Sequence, residues 1–325
     1  MSRVYICHTV YHVYVSLLKM YKHEKECDIV LVDTIPNVEQ LKERLGKEEI
    51  FRNTIVIKRE EFFAKKYHSY LMNYVNCIRR NKAICEKLAF LNEYTDKYIY
   101  NDYTEIGAFF KQNKITYHLM EDGLDVFKQF DVYEDIGHGY WLKKILFAIF
   151  KIPYSVGMAK ECLDIEINDD TNLKTKIQKP IIVRNRKELE RELNDAYKKK
   201  IFAVFGLNKV ELKGKKVLIL TQVLSEILVT KNDREQYTFY ENIIKEYAGQ
   251  YSVYLKPHPR DNIDYSVLED KYNIVCLKKE IPMEVYAYLP DMQFDYVITY
   301  SSTAANVGNI GKKIIRLDER ICSNR

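Results

Sequence analysis

Lys216–Thr221, with the sequence KVLILT, is an apolar and partly β-branched run of the kind that forms a strand buried on both faces of a sheet. A helical pattern follows at Tyr237–Tyr247, and a second strand-forming run, YSVYLK, follows at Tyr251–Lys256. A strand, a helix and a strand in this order are typical of a parallel βαβ unit. The second half of the chain is therefore predicted to fold as a parallel α/β domain.

The first half of the chain shows the same alternation. The strand pattern Arg3–Cys7 leads into the helical pattern Val10–Met20. We predict an α/β fold with two doubly wound, Rossmann-like domains, residues 1–160 and 161–325, which face each other across a ligand-binding cleft. The other predicted strands are Asp28–Val32, Asn53–Ile57, Lys97–Tyr100, Thr116–Leu119, Ile274–Leu277, Asp295–Thr299 and Lys313–Leu317, and the other predicted helices are two within Glu60–Leu91, then Lys187–Lys200, Met283–Leu289 and Thr303–Ile310.

Composition and charge exclude several classes of protein. Of the 325 residues, 47% are hydrophobic and 30% are charged, which excludes a wholly disordered chain. The 51 basic and 46 acidic side chains leave a net charge of +5, and the basic ones are spread along the chain instead of forming a stripe. We therefore predict no nucleic-acid partner and a mild preference for anionic partners.

The sequence favours a cytoplasmic location. Seven cysteines without a Cys-x-x-Cys pair are typical of a reducing compartment. Neither a signal peptide nor an apolar run long enough to span a membrane is visible. Ile145–Phe150, with lysines on both sides, is expected to form either a buried helix or a helix on the inner face of the membrane.

Three motifs follow predicted strands, where the ligands of parallel sheets bind. Glu121-Asp122-Gly123 is either an ordinary turn or a source of a general base, since pairing of the carboxylates would raise the pKa of one of them. Lys256-Pro257-His258-Pro259-Arg260 is either a stiff surface turn or a loop that holds His258 as a proton or hydrogen-bond donor to a leaving phosphate. Tyr300–Asn306 is either a helix cap or a phosphate cradle formed by Ser301, Ser302 and Thr303.

Weaker candidates accompany these motifs. His8-Thr9 follows the first strand and is a candidate substrate-binding loop, and Thr221-Gln222 has the equivalent place in the second half. Asp233 is a rival to Asp122 as general base. Metal-binding and P-loop motifs are absent from the sequence, as is Gly-x-Gly-x-x-Gly, so we predict neither a metal nor another cofactor.

Together, Glu121-Asp122-Gly123, His258-Pro259 and Ser301-Ser302-Thr303 resemble the acidic-Gly, His-Pro and Ser-Ser/Thr motifs of bacterial sialyltransferases. The opening Cys7–His12 and the run Tyr98–Asp102 are most similar to glycosyltransferase family 52, which contains lipooligosaccharide and capsule sialyltransferases. The similarity covers residues 4 to about 317.

The resemblance implies a GT-B fold and an inverting, metal-independent transfer of N-acetylneuraminic acid from CMP-N-acetylneuraminic acid to a terminal galactoside of a surface glycan. The first domain would take the acceptor and the second the nucleotide sugar. Asp122 would deprotonate the acceptor hydroxyl, His258 would protonate the departing CMP phosphate, and Ser301 and Ser302 would hold that phosphate. The other implied donor-binding residues are Lys256, Pro259, Thr303, Thr221 and Gln222, and the remaining site residues are Glu121, His8, Thr9, Gly123 and Asp233.

The chain departs from the GT-B pattern at its end. Such folds commonly finish with a long helix that returns to the first domain, whereas this sequence ends at Arg325, soon after the strand Lys313–Leu317. Either that helix is missing or the cleft is closed differently, for example by a second subunit in a homodimer. Three alternative functions stay open: a CDP-glycerol or polyol phosphotransferase of wall-polymer synthesis, a UDP-sugar glycosyltransferase, and a non-catalytic nucleotide- or glycan-binding scaffold.

Overall fold

The computed structural model describes residues 2–21, 27–58, 86–102, 104–129, 145, 156–207, 212 and 214–318. Within these ranges the chain forms two compact units, Met1–Lys200 and Ile201–Arg325. Each unit is built around its own parallel sheet with its own apolar core. The predicted segment Ile145–Phe150 lies outside the described residues except for Ile145.

The first unit contains a seven-stranded sheet in the order β3-β2-β1-β4-β5-β6-β7. Every strand pair in it is parallel. Its strands are β1 (Arg3–Cys7), β2 (Cys27–Val32), β3 (Thr54–Ile57), β4 (Asp96–Ile99), β5 (Tyr117–Met120), β6 (Cys162–Ile167) and β7 (Ile181–Val183). The strand order reverses between β1 and β4, and such a reversal creates a crevice at the carboxyl ends of the strands.

The helices of the first unit are α1 (Val10–Met20), α2 (Val38–Glu48), α3 (Glu105–Gln112), α4 (Val126–Gln129), α5 (Arg186–Arg191) and α6 (Asp195–Phe205), which continues into the second unit. Thr9 caps α1 by accepting a hydrogen bond from the backbone N–H of His12. In α3, a Cβ on Gly107 would lie 1.9 Å from the carbonyl oxygen of Asp102. Glycine at this position therefore permits α3 to pack closely against the loop that follows β4.

The second unit contains a five-stranded parallel sheet in the order β10-β9-β8-β11-β12. It shows the same reversal, here between β8 and β11. Its strands are β8 (Lys216–Leu220), β9 (Ser252–Lys256), β10 (Val275–Cys276), β11 (Phe294–Thr299) and β12 (Gly311–Arg316), and its other helices are α7 (Asp233–Tyr247), α8 (Ser266–Tyr272) and α9 (Met283–Tyr286). The two doubly wound sheets confirm the predicted fold class.

The division between the units differs from the predicted one. The boundary expected between residues 160 and 161 falls inside the first unit, because β6 and β7 pair with β5 and extend its sheet. β6 was not predicted, because two of its six side chains are acidic and interrupt the apolar pattern of a strand. Glu166 is buried and forms ion pairs with Lys19 and Arg186. A charged residue therefore occupies a buried strand position at which an apolar residue is expected.

Two more predicted helices differ in the structure. The single helix expected at Lys187–Lys200 is divided into α5 and α6. The helix expected at Thr303–Ile310 is a four-residue 3-10 turn, Thr303–Asn306. The turn ends because the chain reaches a left-handed Gly308 three residues before β12 begins.

Two further observations concern the cysteines and the length of the helices. The four cysteines in the described residues, Cys7, Cys27, Cys162 and Cys276, are all free thiols. Among the helices that the structure describes, none has the length and apolar character that a membrane crossing requires.

Candidate active site

The crevice of the first unit holds most of the predicted acceptor-side residues. His8 and Thr9 follow β1, and Asp122 follows β5, so the strand order brings them to one edge of the sheet. They line a cavity of about 220 Å³. The cavity wall also contains apolar and polar side chains from four other segments, namely Val32, Thr34, Ile57, Leu88, Asn101, Thr104, Glu105 and Ile106.

Asp122 is held as a carboxylate at this cavity. Its Oδ1 lies 2.5 Å from Nε2 of His12, and its Oδ2 accepts a hydrogen bond of 3.2 Å from the amide of Asn101. Burial by itself would raise the pKa of Asp122, but the hydrogen bonds from His12 and Asn101 outweigh it, so the pKa lies below its ordinary value. The side chain keeps 38% of its surface exposed, so a substrate hydroxyl can reach it.

His12 donates a hydrogen bond from Nε2 to Asp122. The backbone N–H of His8, which can only donate, points at Nδ1 of His12 at 3.1 Å. A neutral imidazole then carries its proton on Nε2, where it faces Asp122. The ring is 1% exposed and stacks on Tyr100 at a centroid distance of 4.1 Å. These contacts fix the orientation of the imidazole, and through it that of the carboxylate.

His12 and Asn101 were not among the predicted site residues. Both lie in stretches that carry the family resemblance, His12 in Cys7–His12 and Asn101 in Tyr98–Asp102, but the resemblance suggests no role for either. The sequence did contain a signal for both residues. His8 and His12 are four residues apart, and Asn101 is the second residue after a strand. Spacing alone does not indicate that either residue meets Asp122, because the pairing with His12 spans 110 positions.

Glu121 points away from Asp122. Its Oε2 accepts a hydrogen bond of 2.9 Å from the backbone N–H of Asn168, and the side chain is buried. Burial raises the pKa of Glu121 to about 7, while the nearby carboxylate that adds to the rise is Asp125 and not Asp122. The two acids of the motif are therefore not the mutually perturbed pair that the sequence suggested, because successive side chains project to opposite sides of the chain.

We expect Glu121→Gln to be more stable, relative to the wild type, at pH 8 than at pH 4. The carboxyl group binds protons more tightly in the folded state than in the unfolded state, whose pKa is near 4.5. The wild type therefore loses up to about 3 kcal/mol of its free energy of unfolding as the pH rises from about 4.5 to about 7, and a variant without the carboxyl group does not. Urea unfolding of the wild type and the variant at both pH values measures this loss. A stability difference that does not change with pH would contradict it.

Gly123 and Thr9 have structural contacts in this region. A Cβ on Gly123 would lie 3.1 Å from a methyl group of Val126, so a larger residue would crowd the start of α4. Thr9 lines the cavity and also caps the start of α1. The backbone carbonyl of His8 accepts a hydrogen bond of 2.7 Å from Thr34, which ties the loop after β1 to the loop after β2.

In the second unit, the loop after β9 carries His258. Its backbone N–H donates a hydrogen bond of 2.9 Å to the hydroxyl of Thr221, which follows β8. The backbone N–H of Arg260 donates to Nδ1 of His258 at 3.2 Å, so a neutral ring carries its proton on Nε2. Burial first, and then the charges of Arg260 and Lys256, lower the pKa of His258 to about 4. With this pKa the imidazole is mostly neutral at neutral pH and can donate a hydrogen bond from Nε2.

Lys256 and Thr221 serve the scaffold of this loop. Burial lowers the pKa of Lys256 to about 7, and its Nζ donates to the carbonyl oxygens of Pro257 and Lys279 at 3.3 and 3.2 Å. Thr221 is 2% exposed and its hydroxyl is engaged inside the protein. Pro259 is half-buried directly after His258.

The Ser-Ser-Thr segment follows β11 at the same edge of the second sheet. Ser302 caps the 3-10 turn by accepting a hydrogen bond of 3.3 Å from the backbone N–H of Ala304. Its own N–H donates to the hydroxyl of Thr299 at 2.9 Å. Ser301 and Thr303 are partly exposed beside it. Both of the alternatives for this segment are compatible with that geometry, since a capping hydroxyl keeps its own proton for donation.

Asp233 and Gln222 lie apart from these contacts. Asp233 is exposed in the first turn of α7, where a carboxylate stabilises the helix. Gln222 is bonded through its backbone N–H to the hydroxyl of Tyr240 at 2.7 Å. No group of three or more acidic, histidine or cysteine side chains that could hold a metal ion occurs within the described part of the chain.

Comparison with known proteins places the chain among glycosyltransferases. The model of glycosyltransferase family 52 matches residues 25–317. A crystal structure of the GT-B domain of a sialyltransferase from Photobacterium damselae is similar, with a TM-score of 0.54, 12% identity, and coverage of 99% of this chain and 94% of that one. So is the α/β-galactoside α-2,3-sialyltransferase of Photobacterium phosphoreum, with a TM-score of 0.54, 15% identity, and coverage of 96% and 90%. No curated protein sequence matches the chain.

Proposed function

The chain belongs to glycosyltransferase family 52, and we propose from that premise that it transfers N-acetylneuraminic acid from CMP-N-acetylneuraminic acid to a hydroxyl of a terminal galactoside on a surface glycan. The observation that carries the proposal is Asp122, a half-exposed carboxylate oriented by His12 and Asn101 at a cavity of about 220 Å³. The two similar structures from Photobacterium are sialyltransferases, which supports the choice of donor.

Asp122 supplies the base of the proposed reaction. The acceptor oxygen forms a bond to the anomeric carbon of the sialic acid as the bond from that carbon to the phosphate oxygen breaks. The hydroxyl proton passes to Asp122, which is ionised at neutral pH and loses negative charge in the step. Displacement from the face opposite the phosphate inverts the anomeric configuration, and the transition state has oxocarbenium character.

His258 supplies a hydrogen bond to the departing phosphate in this scheme. CMP leaves with a single phosphate whose second pKa is near 6, so the group departs at neutral pH without needing a proton. A neutral imidazole that presents Nε2–H stabilises the charge that develops on the phosphate oxygens. Ser301, Ser302 and Thr303 provide further hydroxyl donors, and a monophosphate supported by such donors needs no divalent ion. We therefore propose a reaction without a metal or other cofactor.

The direct test measures CMP release from CMP-N-acetylneuraminic acid in EDTA, with and without a terminal galactoside. Release stimulated by the galactoside is the expected result. Release that requires added Mg²⁺ would refute metal independence but retain the donor. No release from this donor, with release of nucleotide from a CDP-polyol or a UDP-sugar, would replace the proposed donor with one of those. CMP binding without turnover of any of the three donors would favour the scaffold.

A further inference from the structure

Asp261 is a buried carboxylate three residues after His258. It is 1% exposed. Its Oδ2 lies 2.9 Å from the hydroxyl of Thr221, 3.1 Å from the amide nitrogen of Gln236 and 3.0 Å from the hydroxyl of Tyr265. Its Oδ1 accepts a hydrogen bond of 3.0 Å from the backbone N–H of Ile263. Four donors from three segments of the chain thus converge on one side chain.

These contacts give the hydrogen bonds a fixed direction. An ionised carboxylate can only accept, so the hydroxyl of Thr221 donates to Asp261. The oxygen of Thr221 then has its lone pairs available for the backbone N–H of His258, which lies 2.9 Å away and can only donate. A directed chain therefore runs from His258 through Thr221 to Asp261.

A second contact holds the same loop from the other side. The backbone N–H of Asp261 donates to the carbonyl oxygen of His258 at 2.9 Å. Both backbone polar groups of His258 are therefore held, one through the Asp261 side chain and one by the Asp261 backbone. With Nδ1 of the ring occupied by the N–H of Arg260, the remaining ring proton lies on Nε2.

We propose that Asp261 is a positioning residue for His258, acting through Thr221 to fix the loop that presents the His258 Nε2–H. Asp261 touches neither the imidazole nor, in the proposed reaction, the donor. The proposal rests on the proposed role of His258 in phosphate binding. A carboxylate fits this role because both of its oxygens accept. An amide would place its NH₂ either against Gln236 and the two hydroxyls or against the backbone N–H of Ile263.

The test compares variants that break the chain with variants that keep it. Thr221→Val breaks the connection to His258, and Asp261→Asn sets an amide NH₂ against at least one of the donors that converge on Asp261, whereas Thr221→Ser retains the hydroxyl. Tyr265→Phe is the matched control, since it removes one donor to Oδ2 without touching the chain from Thr221 to His258. Thermal unfolding establishes which variants are folded, and Thr221→Val serves as the decisive variant if Asp261→Asn does not fold.

We expect Thr221→Val and Asp261→Asn to lower kcat by about 10- to 100-fold, of the order found for a displaced hydrogen-bond donor in an active site. Thr221→Ser and Tyr265→Phe should stay within about threefold of the wild type, even where Tyr265→Phe lowers the Tm. Wild-type kcat in folded Thr221→Val, or equal losses of kcat in Thr221→Val and Tyr265→Phe, would overturn the proposal.

A spectroscopic readout separates this proposal from the function itself. The ¹⁵N chemical shifts of the His258 ring, assigned with a His258→Gln spectrum, report its tautomer and surroundings without any donor. They should change in Thr221→Val and be unchanged in Tyr265→Phe and Thr221→Ser. If the wild type fails to release CMP from CMP-N-acetylneuraminic acid, this pattern still supports the positioning role, and unchanged shifts in Thr221→Val still refute it.

Discussion

Asp122→Asn is expected to lower kcat by about 10²- to 10⁴-fold, the range for loss of a general base, while CMP affinity stays near that of the wild type. The asparagine preserves the size of the side chain and an oxygen that can accept from His12, but it has no carboxylate to take the proton of the acceptor hydroxyl. CMP affinity should survive because the proposed phosphate ligands follow β9 and β11 of the other unit. Steady-state kinetics and calorimetric titration with CMP measure the two quantities.

Asp233→Ala is the matched control for this variant. Asp233 is exposed on the first turn of α7, and its removal is expected to leave kcat within a few-fold of the wild type. Full activity in Asp122→Asn together with loss of activity in Asp233→Ala would transfer the role of base to Asp233. If both variants were as active as the wild type, neither Asp122 nor Asp233 would be the general base.

His258→Ala is expected to lower kcat/KM by about 10²- to 10³-fold, as removal of one preorganised donor does at other oxyanions, and to weaken CMP binding. Both effects follow because the Nε2–H is lost and no other group takes its place. The pKa of about 4 distinguishes two ways in which the imidazole can act. A ring with this pKa is mostly uncharged at neutral pH, and we propose that it contributes a hydrogen bond and not a transferred proton.

His258→Gln tests that distinction. Its terminal amide places an N–H near the position of Nε2. If the reaction needs only a hydrogen bond there, kcat/KM of this variant should be within about tenfold of the wild-type value. A glutamine variant as inactive as the alanine variant would show that proton transfer is required. Thermal unfolding of both variants controls for damage to the loop between the two prolines.

The short-range features of this fold were predictable from the chain itself. Arg3–Cys7 and Val10–Met20 have the predicted bounds in the structure, because burial on a sheet or a helix face imposes a residue periodicity that is visible locally. The doubly wound class followed from the alternation of these patterns. The placement of Asp122 and His258 after strands followed in the same way, since the carboxyl ends of parallel strands share one edge of a sheet.

The order of elements, the fold class and the strand ends that carry polar motifs could thus be predicted, because all of them depend on neighbours along the chain. The folded structure was needed to show that β6 joins the first sheet, that His12 orients Asp122, that Glu121 turns away, and that Asp261 reaches Thr221. The neutral state of His258 was likewise decided there. The physical reason is that ion pairing, hydrogen bonding and pKa values depend on burial and on residues far apart in sequence, which strand order brings together.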